Sequence, residues 1–200
     1  AGKLGLRPAD FARWTFGGSR VAEGTRLDCG YSPKGAAGGG PEGGEALRRG
    51  LRLLTDLFLA AVGVGLVHAC VEVSAGYAKA RKQFGRPIGS FQLVQDLIAR
   101  MVFDVEAARL LLYRAAVGAE GRGLRLGDAQ AAIARARSLA ADAALRAGTD
   151  AVQVHGGYGF SAEYPAERLF RDARALALLS GGTAELLGAS AEPVLREALA

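Results

Sequence analysis

Residues 90–112 read SFQLVQDLIARMVFDVEAARLLL, and in them Phe91, Val94, Ile98, Met101, Val105, Ala108 and Leu112 recur at steps of three and four. That spacing predicts an α-helix with one continuous core-facing stripe, and Ser90 is placed to cap its first turn. The same period precedes it. Leu47, Leu51, Leu54 and Phe58 predict a helix from about residue 45 to 84, ended by Gly85 and Pro87. Gly121 and Gly123 break the chain after the second helix, and a third is expected over about 126–154. It carries ten alanines between Ala129 and Ala147. Alanine propagates a helix and lets neighbours approach closely, so this helix belongs inside a bundle. A short helix around 165–174 and a last one over about 183–199 complete the set. Four main helices on short joints predict a mainly α fold, a four-helix up-down bundle over residues 45–200.

Residues 1–34 lack the helical period. Trp14-Thr15-Phe16 and Ser19-Arg20-Val21, around Gly17-Gly18, read as short strand pieces, the remnant of a β region. Six of the ten residues 35–44 are glycine, with Pro41 among them, which predicts a flexible linker and a domain boundary there.

Half of the 200 residues are hydrophobic and 22% are charged, which excludes global disorder and gives enough chain for one domain with a core. Cys29 and Cys70 match neither a disulfide framework nor a metal-binding spacing, so a reducing, cytoplasmic setting without a metal site is expected. The longest apolar run, Leu57 to Val71, holds fifteen residues where a bilayer needs about twenty, and reads as a buried helix rather than a membrane span. The net charge of +5 comes from lysines and arginines scattered among acids. Without a basic block or interleaved aromatics, that pattern argues against nucleic acid and for an anionic small ligand or solvated helix faces.

Four stretches carry more than a structural bundle requires. Tyr77 to Ile88 is a cation-rich helix end. A helix C-terminus favours cations in any case, yet Arg81 can also grip a phosphate in bidentate fashion, with Gln83 and Phe84 flanking a ribose or ring. Gln153-Val154-His155-Gly156-Gly157-Tyr158-Gly159-Phe160 is either a glycine-rich helix stop or a place where backbone N–H groups approach a ligand. In Glu163 to Ala173, Arg171 and Asp172 are expected to tie helices together by salt bridges. Ser180-Gly181-Gly182-Thr183-Ala184-Glu185 reads as a glycine turn opening a helix, with a hydroxyl and an acid in its first turn.

In this order the motifs R-K-Q-F-G, Q-V-H-G-G-Y-G-F, E-Y-P and R-D-A resemble the C-terminal helical domain of the acyl-CoA dehydrogenase family, from about Leu57 to Leu195. Lys3-Leu4-Gly5-Leu6-Arg7 and Trp14 to Val21 resemble the last strands of that family's middle β domain. The resemblance implies an FAD enzyme that desaturates an acyl-CoA between its α and β carbons, passes electrons to an electron-transfer flavoprotein and assembles as a homo- or hetero-tetramer. On matching positions it assigns Arg81, Gln83 and Phe84 to the FAD pyrophosphate region of a neighbouring subunit, with Gln92 nearby. Gln153, Gly156 and Gly157 fall to the adenosine half, and Thr183 and Glu185 to the flavin.

The chain departs from the family at its base. The usual glutamate position is Gly181 and the alternative one, on the first helix, is Thr55; neither side chain takes up a proton at neutral pH. Asp56, beside it, is the remaining acid for that role, against its reading as an acid with a local partner. The backbone N–H of Gly181 still fits the place where relatives polarise the thioester carbonyl. Two functions follow: a dehydrogenase domain whose base lies elsewhere, or a non-catalytic assembly subunit of a heteromeric dehydrogenase.

Overall fold

The structure is a computed structural model and describes residue 6 and residues 41–119, 126–179, 186–191 and 194–195. The expected β remnant, apart from Leu6, lies outside the described residues, as do residues 35–40 of the expected linker. Four helices make up the described bundle: α1 (Pro41–Ala80), α2 (Gln92–Ala119), α3 (Leu126–His155) and α4 (Pro165–Leu178). The mainly α bundle expected from the apolar period is therefore what forms. Residues 41–44, glycine-rich and assigned by composition to the linker, are already the first turn of α1. α4 is longer than expected, and it is the fourth member of the bundle among the described residues. Of the expected last helix, residues 186–191 and 194–195 are helical.

α3 is the central helix, packed on α1, α2 and α4. Its alanines are the reason. Ala132, Ala136, Ala140, Ala143, Ala144, Ala147 and Ala151 all lie in the buried cluster, and their small side chains let the other helices come close. The contact with α1 is tight at Gly63, where a Cβ would stand 2.9 Å from the Ala140 Cβ. Arg137, 1% exposed, interrupts the apolar surface of α3 and donates from Nη2 to the Leu176 carbonyl of α4 at 2.7 Å. Burial lowers its pKa, and the nearby Asp56 on α1, itself 5% exposed, acts in the opposite direction.

The stripe read from residues 90–112 faces inward. Met101, Val105 and Ala108 are buried, and Val94, Ile98 and Leu112 pack against the cluster. α1 behaves differently. Ala60, Val64, Val67, Cys70 and Ala78 form its buried face, whereas Leu51, Leu54 and Phe58, which gave the helix its apolar period, are exposed. The expectation of a buried helix thus holds for one face only. Arg48–Ala80, with a hydropathy of 1.9 in its most apolar window, is long and apolar enough to cross a membrane, and a third of that window is buried inside the bundle.

Two local expectations are corrected. α1 stops at Ala80 rather than near residue 84, because the chain turns there into a hairpin of two short strands, β1 (Lys82–Gln83) and β2 (Arg86–Pro87). Ser90 does not cap α2 with its side chain: its hydroxyl donates to the Pro87 carbonyl at 2.7 Å inside a 3-10 turn over Ile88–Ser90. The Phe91 carbonyl takes the first α2 N–H groups instead, from Val94 and Gln95. Arg171 forms a two-point ion pair with Glu167 one turn earlier in α4, at 2.7 and 3.0 Å, so that pair stiffens α4 itself. Asp172 accepts the Leu6 N–H at 2.6 Å.

Candidate functional site

The hairpin after α1 is built from its sequence. Lys82 pairs with Pro87 and Gln83 with Arg86, leaving Phe84 and Gly85 as a two-residue loop. Both have positive φ, 52° and 77°. Positive φ at both loop positions is the type I′ turn that matches the right-handed twist of a short hairpin, and Gly85 adopts it without strain. Phe84 adopts it at a cost, and its ring is 92% exposed at the hairpin tip. The ring meets Phe91 edge-on at 6.2 Å, and the Arg86 guanidinium lies 4.3 Å from the Phe91 ring centre. The Ile88 N–H donates to the Arg81 carbonyl at 2.8 Å and closes the hairpin base.

Against this hairpin stands the end of α3. His155, 3% exposed, donates from Nδ1 to the Ala151 carbonyl at 2.8 Å, since a carbonyl only accepts. Its ring stacks on Tyr77 at 4.3 Å and meets Tyr164 at 5.8 Å. Tyr158 lies 5.4 Å from Tyr164 and takes the Arg81 guanidinium 5.6 Å from its own ring centre. The aromatic rings therefore fasten the end of α1, the end of α3 and the start of α4 around one cavity of about 490 Å³. Arg81, Gln83, Gln153, Gly156 and Gly157 all line it.

Five residues picked out by motif thus converge on one site from two stretches of sequence seventy or more positions apart. Gly156, at φ 58°, turns the chain away from α3, and a Cβ at either Gly156 or Gly157 would meet open space. The backbone is consequently open to a ligand. Phe84 and Gln92 are exposed and do not line the cavity. Thr183, Glu185 and Gly181 lie outside the described residues. Asp56 is not brought to this site: it stands about 36 Å along the α1 axis from Ala80, at 1.5 Å per residue. It lines a different cavity, near the start of α1. Thr55 donates its hydroxyl to the Leu51 carbonyl at 2.8 Å. Among the described residues no cluster of His, Cys, Asp and Glu has the makings of a metal site.

The motif reading missed Tyr77, Ile88 and Tyr158 as cavity residues. The signal for Tyr77 was its place one helical turn before Arg81, and for Tyr158 its place directly after the paired glycines. Both signals belong equally to ordinary core packing, and only the fold separates the two.

The chain is similar to proteins of known type. The family described as acyl-CoA dehydrogenase, C-terminal domain, matches residues 56–194. The 3-sulfinopropanoyl-CoA desulfinase of Paraburkholderia xenovorans (strain LB400) is 36% identical over 184 residues, covering 92% of this chain and 44% of its own length. Among solved structures, the glutaryl-coenzyme A dehydrogenase glutaryl-CoA complex superposes with a TM-score of 0.72 at 38% identity, over 78% of this chain and 39% of that one. PigA with FAD and proline superposes with a TM-score of 0.66 at 31% identity, over 72% and 36%. The chain spans less than half of the length of the curated relatives it matches, 32% of one and 44% of another. A family match over more than half of its residues, on a helical bundle of the same fold, makes this chain a member of the acyl-CoA dehydrogenase family.

Proposed function

We propose that this chain supplies the helical, FAD-contacting and assembly domain of an acyl-CoA dehydrogenase that desaturates an acyl-CoA between its α and β carbons. The observation that carries the reading is the convergence of Arg81, Gln83, Gln153, Gly156 and Gly157 on one cavity. These groups suit FAD. Arg81 offers a cation to the pyrophosphate, Gln83 and Gln153 offer amides that both donate and accept, and the open glycine backbone admits close approach. Phe84, exposed at the hairpin tip, is offered to the cofactor held with a neighbouring subunit, with Gln92 beside it. Thr183 and Glu185 fall to the flavin end. When bound, FAD accepts the β hydrogen as hydride.

Assembly is supported by the outer faces of α1 and α2, where Phe58, Phe103 and Leu110 are all exposed by two thirds or more. We place the catalytic base outside positions 55 and 181, on another subunit or on Asp56, and take an electron-transfer flavoprotein as the electron acceptor. Cytoplasmic residence belongs to the same reading, with Cys70 a free, buried thiol.

A second reading rests on Gly181 together with the long match to a desulfinase named for 3-sulfinopropanoyl-CoA. It assigns to the chain loss of a β-substituent from an acyl-CoA. One experiment separates the readings: purify the chain, record its absorbance spectrum with native mass spectrometry, then add butyryl-CoA or 3-sulfinopropanoyl-CoA. A flavin band bleached by butyryl-CoA supports dehydrogenation; sulfite release without bleaching supports the second reading. A flavin-bearing oligomer inert to both is the assembly subunit, and a colourless chain refutes FAD binding by this domain alone.

A further inference from the structure

Arg81 differs from the arginines elsewhere in the bundle. Arg100, Arg109, Arg146 and Arg171 each meet a carboxylate, and the buried Arg137 meets a backbone carbonyl. Among the described residues the Arg81 side chain takes part in no hydrogen bond and no ion pair, and the partner its guanidinium does have is the Tyr158 ring, whose centre lies 5.6 Å away.

The difference matters for a cation that lines a cavity. A carboxylate partner would offset the charge and occupy the N–H donors, and an incoming anion would first have to displace it. A ring face attracts the cation through its quadrupole and offers no lone pair, so the five N–H donors of the guanidinium are left for a ligand. The ring also restricts a long side chain in advance, which lowers the rotamer entropy lost when a ligand binds.

Three contacts fix Tyr158 for such a role. Gly159, next to it, packs so tightly on α3 that a Cβ there would stand 2.4 Å from the Val152 carbonyl oxygen. The Tyr158 carbonyl accepts the Ser161 N–H at 3.1 Å, and its ring lies 5.4 Å from that of Tyr164. The Arg81 backbone is held as firmly: its N–H donates to the Tyr77 carbonyl and its carbonyl accepts the Ile88 N–H, both at 2.8 Å. The part of Arg81 left to be placed is its side chain, and Tyr158 is what meets it.

We propose that Tyr158 is a positioning residue for Arg81, its ring seating the guanidinium at the cavity that both residues line with the N–H donors free to receive a phosphate group. The identity of that phosphate as the FAD pyrophosphate rests on the function proposed above; the seating of Arg81 does not.

The test reads Arg81 first and the ligand second. In the full chain labelled with ¹⁵N-arginine, the Arg81 Nε–H resonance, assigned by its loss in Arg81→Ala, should carry an upfield ring-current shift that Tyr158→Phe keeps and Tyr158→Leu abolishes. Calorimetric titration with FAD should then show affinity about three- to fivefold weaker in Tyr158→Leu, within about twofold of the unsubstituted chain in Tyr158→Phe, and about tenfold weaker or worse in Arg81→Ala. Adding Tyr158→Leu to Arg81→Ala should cost nothing further, because the ring acts through the guanidinium; a merely structural tyrosine would cost the same in both backgrounds. Absence of a ring-current shift in the unsubstituted chain overturns the proposal whether or not Tyr158→Leu folds, and so does an equal loss of affinity from Tyr158→Leu with and without Arg81. Undiminished FAD affinity in Arg81→Ala, or no FAD binding by the chain, instead sinks the FAD reading of this cavity and leaves the seating of Arg81 to be decided by the resonance.

Discussion

The Tyr77 ring lies on the His155 imidazole with centroids 4.3 Å apart and planes 26° from parallel, which joins the last turns of α1 and α3. Tyr164 presents its ring to both, at 5.7 and 5.8 Å. Removal of the imidazole takes away a buried hydrogen bond to the Ala151 carbonyl and two ring contacts together. His155→Ala should cost about 2–4 kcal/mol of stability, from one hydrogen bond, the ring pairs and the space left behind. Urea unfolding measures this. His155→Phe keeps the stacking and loses the hydrogen bond, so it should recover part of the loss, and equal stability of all three proteins would remove the ring cluster as a fastening device.

At Gly63 a Cβ would stand 2.9 Å from both the Cβ and the carbonyl oxygen of Ala140, so α1 and α3 approach more closely than an alanine pair allows. Gly63→Ala should destabilise the bundle by about 1–3 kcal/mol through overpacking. Gly65→Ala, two residues on and facing open space, should stabilise it by up to about 1 kcal/mol through helix propensity. Opposite signs in paired denaturation curves are the expected result. A stabilising Gly63→Ala would show that the two helices stand further apart than described.

Arg137 sits at 1% exposure on the alanine-rich helix and is placed to act on Asp56. Its truncation to alanine leaves the Leu176 carbonyl with the Leu179 N–H alone and removes the buried cation near Asp56. The expected cost is about 3–5 kcal/mol, and Arg137→Met in an Asp56→Asn background should recover much of it, because removing both charges avoids a lone buried ion. Thermal unfolding of the single and double variants decides the matter, and equal losses in both would assign the effect to the lost hydrogen bond to the Leu176 carbonyl, since methionine restores most of the side-chain volume.

How much of this was legible follows the physics of each signal. Met101, Val105 and Ala108 were readable because a core-facing stripe must repeat with the helix itself. Arg81, Gln83, Gln153 and the paired glycines were readable as motif, and they do line one cavity. Arg137 was not readable as a core residue: a charge inside an alanine-rich helix has no periodic signature and is explained only by the Leu176 carbonyl and Asp56 beside it. The outward face of α1 was missed for the opposite reason. Leu51, Leu54 and Phe58 have the spacing of a core stripe, and spacing does not tell a face buried inside one chain from a face left exposed on it.

Burial, assisted by Asp150, pushes the Cys70 thiol up to about 12. In the native protein it should stay unreactive toward a thiol reagent at pH 8 and react once urea unfolds the chain, because the thiolate is the nucleophile. The sign of the pH effect follows. In the unfolded chain the thiol ionises near its ordinary pKa of about 8.5, while the folded protein keeps its proton until about 12. Stability from this group is therefore full below about pH 8.5 and is lost as pH rises toward 12. The unsubstituted chain should lose more stability between pH 8 and pH 10 than Cys70→Ala, and parallel curves for the two would refute the shift.

Phe84 holds φ at 52° with its ring 92% exposed, so it contributes strain and little burial to its own chain. A non-glycine residue in the left-handed region costs about 1–2 kcal/mol, and an aromatic has no local hydrogen bond to offset it. Asparagine tolerates that conformation, and Asn-Gly is the favoured loop of a type I′ hairpin. Phe84→Asn should therefore stabilise the isolated chain by about 1 kcal/mol. If the ring is kept for the cofactor held with a neighbouring subunit, the same substitution should weaken flavin retention in the assembled protein. Arg81→Ala serves as the comparison, expected to lower retention without the gain in stability. The decisive observation is the opposition of the two effects in Phe84→Asn, read by thermal unfolding and by flavin absorbance after dialysis. A more stable protein with undiminished flavin would mean that the strain at the hairpin tip serves something other than the cofactor. A less stable one would mean that the contact of Phe84 with Phe91, at 6.2 Å, outweighs the cost of its backbone.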